Sequence, residues 1–176
     1  MTSSDLAYPI GRWRAPDTLT EAQRRDAVGR ITTLPDRLGA AVRGLDDRQL
    51  ATPCRPGGWT VRQVVHHLAD SHIHAYIRTK LAATALRPKV VAYDQEAWAT
   101  LPDVASVPVS ASLAILAGLH ARWGALLAAF SDQDWVREYD HSENGIQRLD
   151  VVTHHYAWHG DHHLAQITAL RAREGW

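Results

Sequence analysis

The sequence predicts an all-α protein, a four-helix bundle with long irregular connections. Three observations carry this. Four segments repeat apolar residues at helical spacing, no segment shows convincing two-residue alternation, and proline- and glycine-containing stretches separate the four. Four amphipathic helices in a chain of 176 residues bury their apolar stripes most simply against one another.

Residues 1–18 contain Pro9, Gly11 and Pro16 and read as an extended N-terminal arm. The first helix is predicted over 19–45. Thr20 is placed to cap it, and Ala27, Val28, Ile31, Leu34, Leu38, Ala41, Val42 and Leu45 recur at its spacing. Pro35 lies within this run, so a kink or break is expected there, because proline has no N–H for the helical ladder. "TPCRPGG" (52–58) is a loop. The second helix is predicted from Trp59–Thr60 to Leu86, with Thr60 as N-cap and Gln63 placed for a reciprocal capping box. Residues 87–108 have weak periodicity and several breakers and read as a connection. The third helix covers 110–130, with Leu113, Leu116, Ala117, His120, Trp123, Leu127 and Phe130 on one side. Residues 131–147 form a second long connection, and the fourth helix runs from Leu149 to Arg173. Both connections are longer than an up-down bundle needs, so they are expected to cross its ends or build a pocket there.

The length suits one domain, 1–176. Lys+Arg and Asp+Glu are each 19, and the basic residues are scattered, which argues for neither nucleic acid nor an anionic membrane as partner. No apolar run approaches the roughly 20 residues a membrane span needs, and the first residues lack the basic start and apolar stretch of a signal peptide. Cys54 is the one cysteine and allows no internal disulfide. The expected compartment is the cytoplasm.

The biased residue is histidine, at 11. Histidines four apart on a helix have side chains about 5–6 Å apart and can reach one metal ion. The fourth helix has two such pairs, His155–His159 and His159–His163. Its apolar phase separates them. At about 100° per residue, Leu149, Val152, Tyr156, Ile167 and Leu170 share a face. His163 lies within that face and His159 on its shoulder, His155 and His162 lie further round, and His154 is nearly opposite. The inward pair is therefore His159–His163, with Gly160 leaving room beside it. Two ligands rarely suffice, so a third must come from another helix. The second helix offers His66, His67, His72 and His74. His72 flanks its apolar stripe, whereas Gln63, His67, Asp70, Ser71, His74 and Arg78 form a polar stripe, suited to solvent or to a wet cavity. Periodicity leans to His72 and does not choose. His120 reads first as a core histidine and second as support for a ligand. Asp70 and Asp161 are either orienting partners of an imidazole N–H or solvated helix carboxylates. Cys54 lacks a partner base and is given no nucleophilic role.

"RPGGWTVRQVVHHLADSH" (55–72) and "HYAWHGDHHLAQITALRAREGW" (155–176) resemble the DinB/YfiT-like family of bacterial metalloproteins, in its YfiT-like branch. "YPIGRW" (8–13), "LHARW" (119–123) and "YDHSENG" (139–145) are similar to that branch too, so the resemblance covers nearly the whole chain. One departure is Ser142, where the family often has proline. The resemblance implies an up-down-down-up bundle, a homodimer, and one divalent metal per chain held by His67, His159 and His163. His67 comes from the resemblance alone.

Three histidines leave open coordination positions, the pattern of catalytic sites, and imidazoles suit zinc or nickel. The resemblance implies transfer of a low-molecular-weight thiol of the bacillithiol type, as cosubstrate, to a small electrophilic substrate. A metal-dependent hydrolase using an activated water is the alternative, and a non-enzymatic metal-binding stress-response bundle is a third reading. Trp13, Trp98 and Trp176, outside the clear core stripes, add to the dimer expectation, because aromatics are enriched at interfaces.

Overall fold

The computed structural model describes residues 6–176, so the first five residues of the expected arm lie outside the described residues. The helices are α1 (Glu21–Val42), α2 (Asp47–Leu50), α3 (Val61–Thr84), α4 (Gln95–Trp98), α5 (Pro102–Ser106), α6 (Val109–Ala128), α7 (Asp132–Trp135) and α8 (Leu149–Glu174). The strands are β1 (Lys89–Val90), β2 (Glu138–His141) and β3 (Gly145–Arg148). α1, α3, α6 and α8 form the bundle.

Local chemistry sets the helix ends. Thr20 accepts from Gln23 N–H while the Gln23 side chain accepts from Thr20 N–H, and Thr60 and Gln63 do the same for α3. These capping boxes satisfy donors that a helix start otherwise leaves orphaned. α8 ends on Gly175 in the left-handed region (φ 73°), a conformation that glycine adopts without a Cβ penalty. Pro35 does not break α1, which runs unbroken through it.

The direction of each long helix follows from its contacts. α8 runs parallel to α1, because Arg30 and Arg37 of α1 meet Asp161 and the Arg171 guanidinium reaches the Ala41 carbonyl. α6 runs antiparallel to α1, since His120 meets Ile31 and Leu116 joins the layer of Leu38. α3 runs parallel to α6, with His66 at Ser112 and His72 at His120. The order is up-down-down-up. Around the bundle, α1 packs on α6 and α8, and α3 packs on α6 and α8, which leaves α1 diagonal to α3 and α6 diagonal to α8. Two apolar layers fill the inside. One gathers Ile31, Tyr76, Trp123, Leu127, Val152 and Tyr156; the other gathers Leu38, Val65, Leu68, Leu116, Ile167 and Leu170. His72, His120 and His159 sit between them along their helices.

α6 corrects one expectation. With a mean hydropathy of 1.3 it is long and apolar enough, by length and composition, to cross a membrane. Here it is a bundle wall, with Leu116, His120, Trp123 and Leu127 buried against its neighbours. A second addition to the all-α reading is a three-stranded sheet. β1 pairs parallel with β2 (Lys89↔Asp140, Val90↔His141), and β2 pairs antiparallel with β3 (Glu138↔Arg148 to His141↔Gly145). It ties the two long connections together. Ser142 takes part: its N–H donates to the Val90 carbonyl at 3.0 Å and its hydroxyl accepts from Ala92 N–H at 2.9 Å. A proline there could do neither.

The first long connection, with β1, α4 and α5, lies over the polar stripe of α3. Gln63 donates to the Ala99 carbonyl, Arg78 donates to the Val91 carbonyl, and His74 stacks on Tyr93 at 4.4 Å. The stripe is therefore covered rather than solvated. The arm packs on α8: Trp13 lies 4.5 Å from the His155 ring and donates to His154 Nδ1, and Tyr8 faces His162.

Candidate metal centre

Near its N-terminal end α3 carries His67; midway along α8, one turn apart, stand His159 and His163. The antiparallel crossing brings the three rings together, and one ring nitrogen from each lies within 4.8 Å of the others. His67 Nε2 and His159 Nε2 are 3.2 Å apart. Two nitrogens each about 2.1 Å from a tetrahedral ion are about 3.4 Å apart, so this spacing fits a shared metal.

The close approach of α8 to α1 comes from Gly160. A Cβ there would lie 2.5 Å from Leu34 Cδ2, so the room beside the histidines is used by Leu34. Asp161, the next residue, is held by the Arg30 and Arg37 guanidiniums at 2.7 Å each. It clamps α8 to α1 and orients no imidazole.

Burial keeps the cluster uncharged. Desolvation pushes His67 down to about 4, and burial first, then the neighbouring imidazoles, hold His159 and His163 well below the ordinary histidine range. An uncharged imidazole keeps a lone pair for a metal at neutral pH. The outer nitrogens are partly fixed. His163 Nδ1 donates to Gln166 Oε1 at 2.9 Å, which leaves Nε2 for the cluster. The Gln166 amide is itself oriented, because its NH2 donates to the Ala7 carbonyl and to His162 Nε2. Such partners set the tautomer and the ring direction of a ligand. The donor set, its spacing and its charge state all fit one divalent ion.

The cluster opens onto a cavity of about 540 Å³, whose walls include Tyr8, Trp59, Tyr156, Trp158 and Glu96. Trp59 lies 4.5 Å from the His67 ring and donates its Nε1–H to Glu96 at 3.0 Å. Periodicity gave no reason to single out Trp59 or Tyr8. Gln166 was legible, three residues after His163 on the same helix.

The other candidates fall elsewhere. His72 is fully buried and meets the far side of His159, with His72 Nε2 3.2 Å from His159 Nδ1. It stands behind the cluster. His155 lines the cavity and packs against Trp13, pushed down to about 4 by burial. His162 is buried although periodicity put it off the core face, because the arm and Trp158 cover it. His66 is taken by Ser112, and Asp70 stands outside the cluster. Cys54 is buried and pushed up to about 12 by desolvation, which keeps it a thiol.

The sequence profile of the DinB superfamily matches residues 30–167. A Bacillus mycoides (strain KBAB4) protein named "Putative metal-dependent hydrolase" is 46% identical over 172 residues, 98% of this chain and 99% of the relative. One of the same description from Bacillus cereus (strain B4264) is 46% identical over 173 residues, with the same coverage. The solved structure of YfiT from Bacillus subtilis, described as "a probable metal-dependent hydrolase with an unusual four-helix bundle topology", matches with a TM-score of 0.94 at 43% identity, over 98% of this chain and 99% of that one. With the profile matched across most of its length and the bundle shared with YfiT, this chain belongs to the DinB superfamily.

Proposed function

We propose that the protein is a metal-dependent enzyme that binds one zinc or nickel ion through His67, His159 and His163 and acts on a small molecule in the adjoining cavity. The observation that carries this reading is the 3.2 Å approach of the Nε2 atoms of His67 and His159, within a cluster of three uncharged imidazoles facing a cavity. When bound, such an ion supplies a Lewis acid that lowers the pKa of a thiol or water placed in its open positions. The side chains do the rest. The three histidines leave one side of the cluster free. Trp59, Trp158 and Tyr156 present apolar faces that exclude water and hold a carbon skeleton.

The chemistry we favour is transfer of a low-molecular-weight thiol to an electrophile. Glu96 is the one carboxylate among the described residues lining this cavity, and it already accepts from Trp59. A thiol that is acidified directly needs no neighbouring base, and the cavity has room for a second reactant. Hydrolysis is the second reading, favoured by the names of the relatives.

Elemental analysis of the purified protein tests the metal, with about one zinc or nickel per chain expected. Metal-loaded protein, a panel of small thiols and a chromogenic electrophile then test the reaction. Thioether formation faster than the free thiol gives, abolished by chelator, is the expected result. Ester or amide cleavage without any thiol, also abolished by chelator, replaces the transferase with the hydrolase. Metal binding with neither activity leaves the non-enzymatic bundle.

A further inference from the structure

Behind the cluster a line of imidazoles leads across the bundle to a backbone carbonyl. His159 Nδ1 is 3.2 Å from His72 Nε2, His72 Nδ1 is 2.9 Å from His120 Nε2, and His120 Nδ1 is 2.6 Å from the Ile31 carbonyl oxygen. That carbonyl is free for a reason written in the sequence. In a complete helical hydrogen-bond ladder it would accept the N–H of residue 35, and residue 35 is Pro35, which has none. The neighbouring helix is close enough to take its place because of Gly124, where a Cβ would collide with Thr32 Cγ2.

The direction of every bond in the line follows from this end. A carbonyl oxygen only accepts, so His120 Nδ1 carries the proton. His120 is fully buried among apolar side chains and uncharged, so its Nε2 accepts and His72 Nδ1 donates. His72, also fully buried, then accepts at Nε2 from His159 Nδ1–H. His159 is left with a bare Nε2, the atom facing His67. The rings are held for this. His72 and His120 stack at 4.9 Å and 6° between planes, and Trp123 stands edge-on to both.

We propose that His120 and His72 are positioning residues that transmit the acceptor character of the Ile31 carbonyl, freed by Pro35, to His159 and so fix its Nδ1–H tautomer with Nε2 bare toward the metal position. No change of charge is involved. The proposal rests on the three-histidine metal reading for its purpose, but the proton pattern it assigns belongs to the metal-free protein.

The test is two measurements on the full chain. In metal-free wild type, long-range nitrogen–proton NMR of the histidine rings should place the protons on Nδ1 of His120, His72 and His159. A proton found on Nε2 of His120 or His72 overturns the proposal, whatever any variant does. In His120→Leu, folded by circular dichroism, His72 loses the acceptor for its Nδ1–H. Its proton should move to Nε2 and drive the His159 proton to the metal-facing Nε2. Zinc affinity, measured by competition with a chelating dye, should fall about 10- to 100-fold, the usual effect of losing an outer partner. His120→Gln keeps a donor and an acceptor and should recover most of the affinity. Unchanged His159 protonation and unchanged zinc affinity in folded His120→Leu also overturn the proposal. If wild type shows the expected protons and binds no zinc, the metal reading fails and the proton assignment stands.

Discussion

His67 Nε2 and His159 Nε2 face each other at 3.2 Å across the junction of α3 and α8. Neither gains from so close an approach unless one donates or an ion sits between them. This contact sets the first expectation.

His67→Ala, His159→Ala and His163→Ala should each lower zinc affinity by more than the about 10–100-fold that an outer partner is worth. His155→Ala and His162→Ala should stay within about that range, since His155 stands outside the cluster and His162 touches it only from the side, against the His163 ring and through Gln166. Titration against a chelating dye reads both groups. Loss of binding in His155→Ala alone would contradict the assigned ligand set.

Gly160→Ala should destabilise the fold by about 1 kcal/mol. The added Cβ meets the buried Leu34 Cδ2 at 2.5 Å, and overpacking of this kind costs about 1–3 kcal/mol against a helix-propensity gain of up to about 1 kcal/mol. Urea unfolding measures the difference. Adding Leu34→Val should recover part of the loss, and a stabilised Gly160→Ala would show that the contact is not tight.

Asp70 gives a pH-dependent expectation. Burial, then the Asp103 charge, push it from 3.8 up to about 6. Between those values the folded chain holds a proton that the unfolded chain has lost, so this group's contribution falls as pH rises through the window. Asp70→Asn should therefore raise Tm by about 2–4 °C near neutral pH and leave it unchanged below about pH 3.5. Equal shifts at both ends of the range would show that charge is not the cause.

Light scattering at micromolar concentration should give about twice the chain mass of 19.6 kDa. This expectation now rests on the family resemblance. The tryptophans that also suggested it have partners within the chain: Trp13 on His155, Trp98 on His74 and Tyr93, and Trp176 against the layer of Ile167 and Leu170. A mass near that of one chain would remove the dimer.

The sequence alone determined the four long helices, because each carries apolar residues recurring at helical spacing, with Thr20 marking the start of the first and the Thr60–Gln63 capping box that of the second. It also singled out His159 and His163, since angle about a helix axis is fixed by position in the chain. What periodicity gives is an angle on one helix and nothing about the helix opposite. His67 and His72 both face α8, and only the antiparallel crossing of α3 and α8 put His67 among the cluster nitrogens and His72 behind His159. The resemblance named His67; the residues themselves leaned the other way. The small sheet was invisible because β1 has two residues and its pairing is with a strand some fifty residues on, so no local pattern records it. Pro35 shows the same division. The sequence shows that an N–H is missing, and predicts a kink or break. Only the packing of α6 on α1 supplies His120 to the carbonyl left open, and with that partner the helix continues.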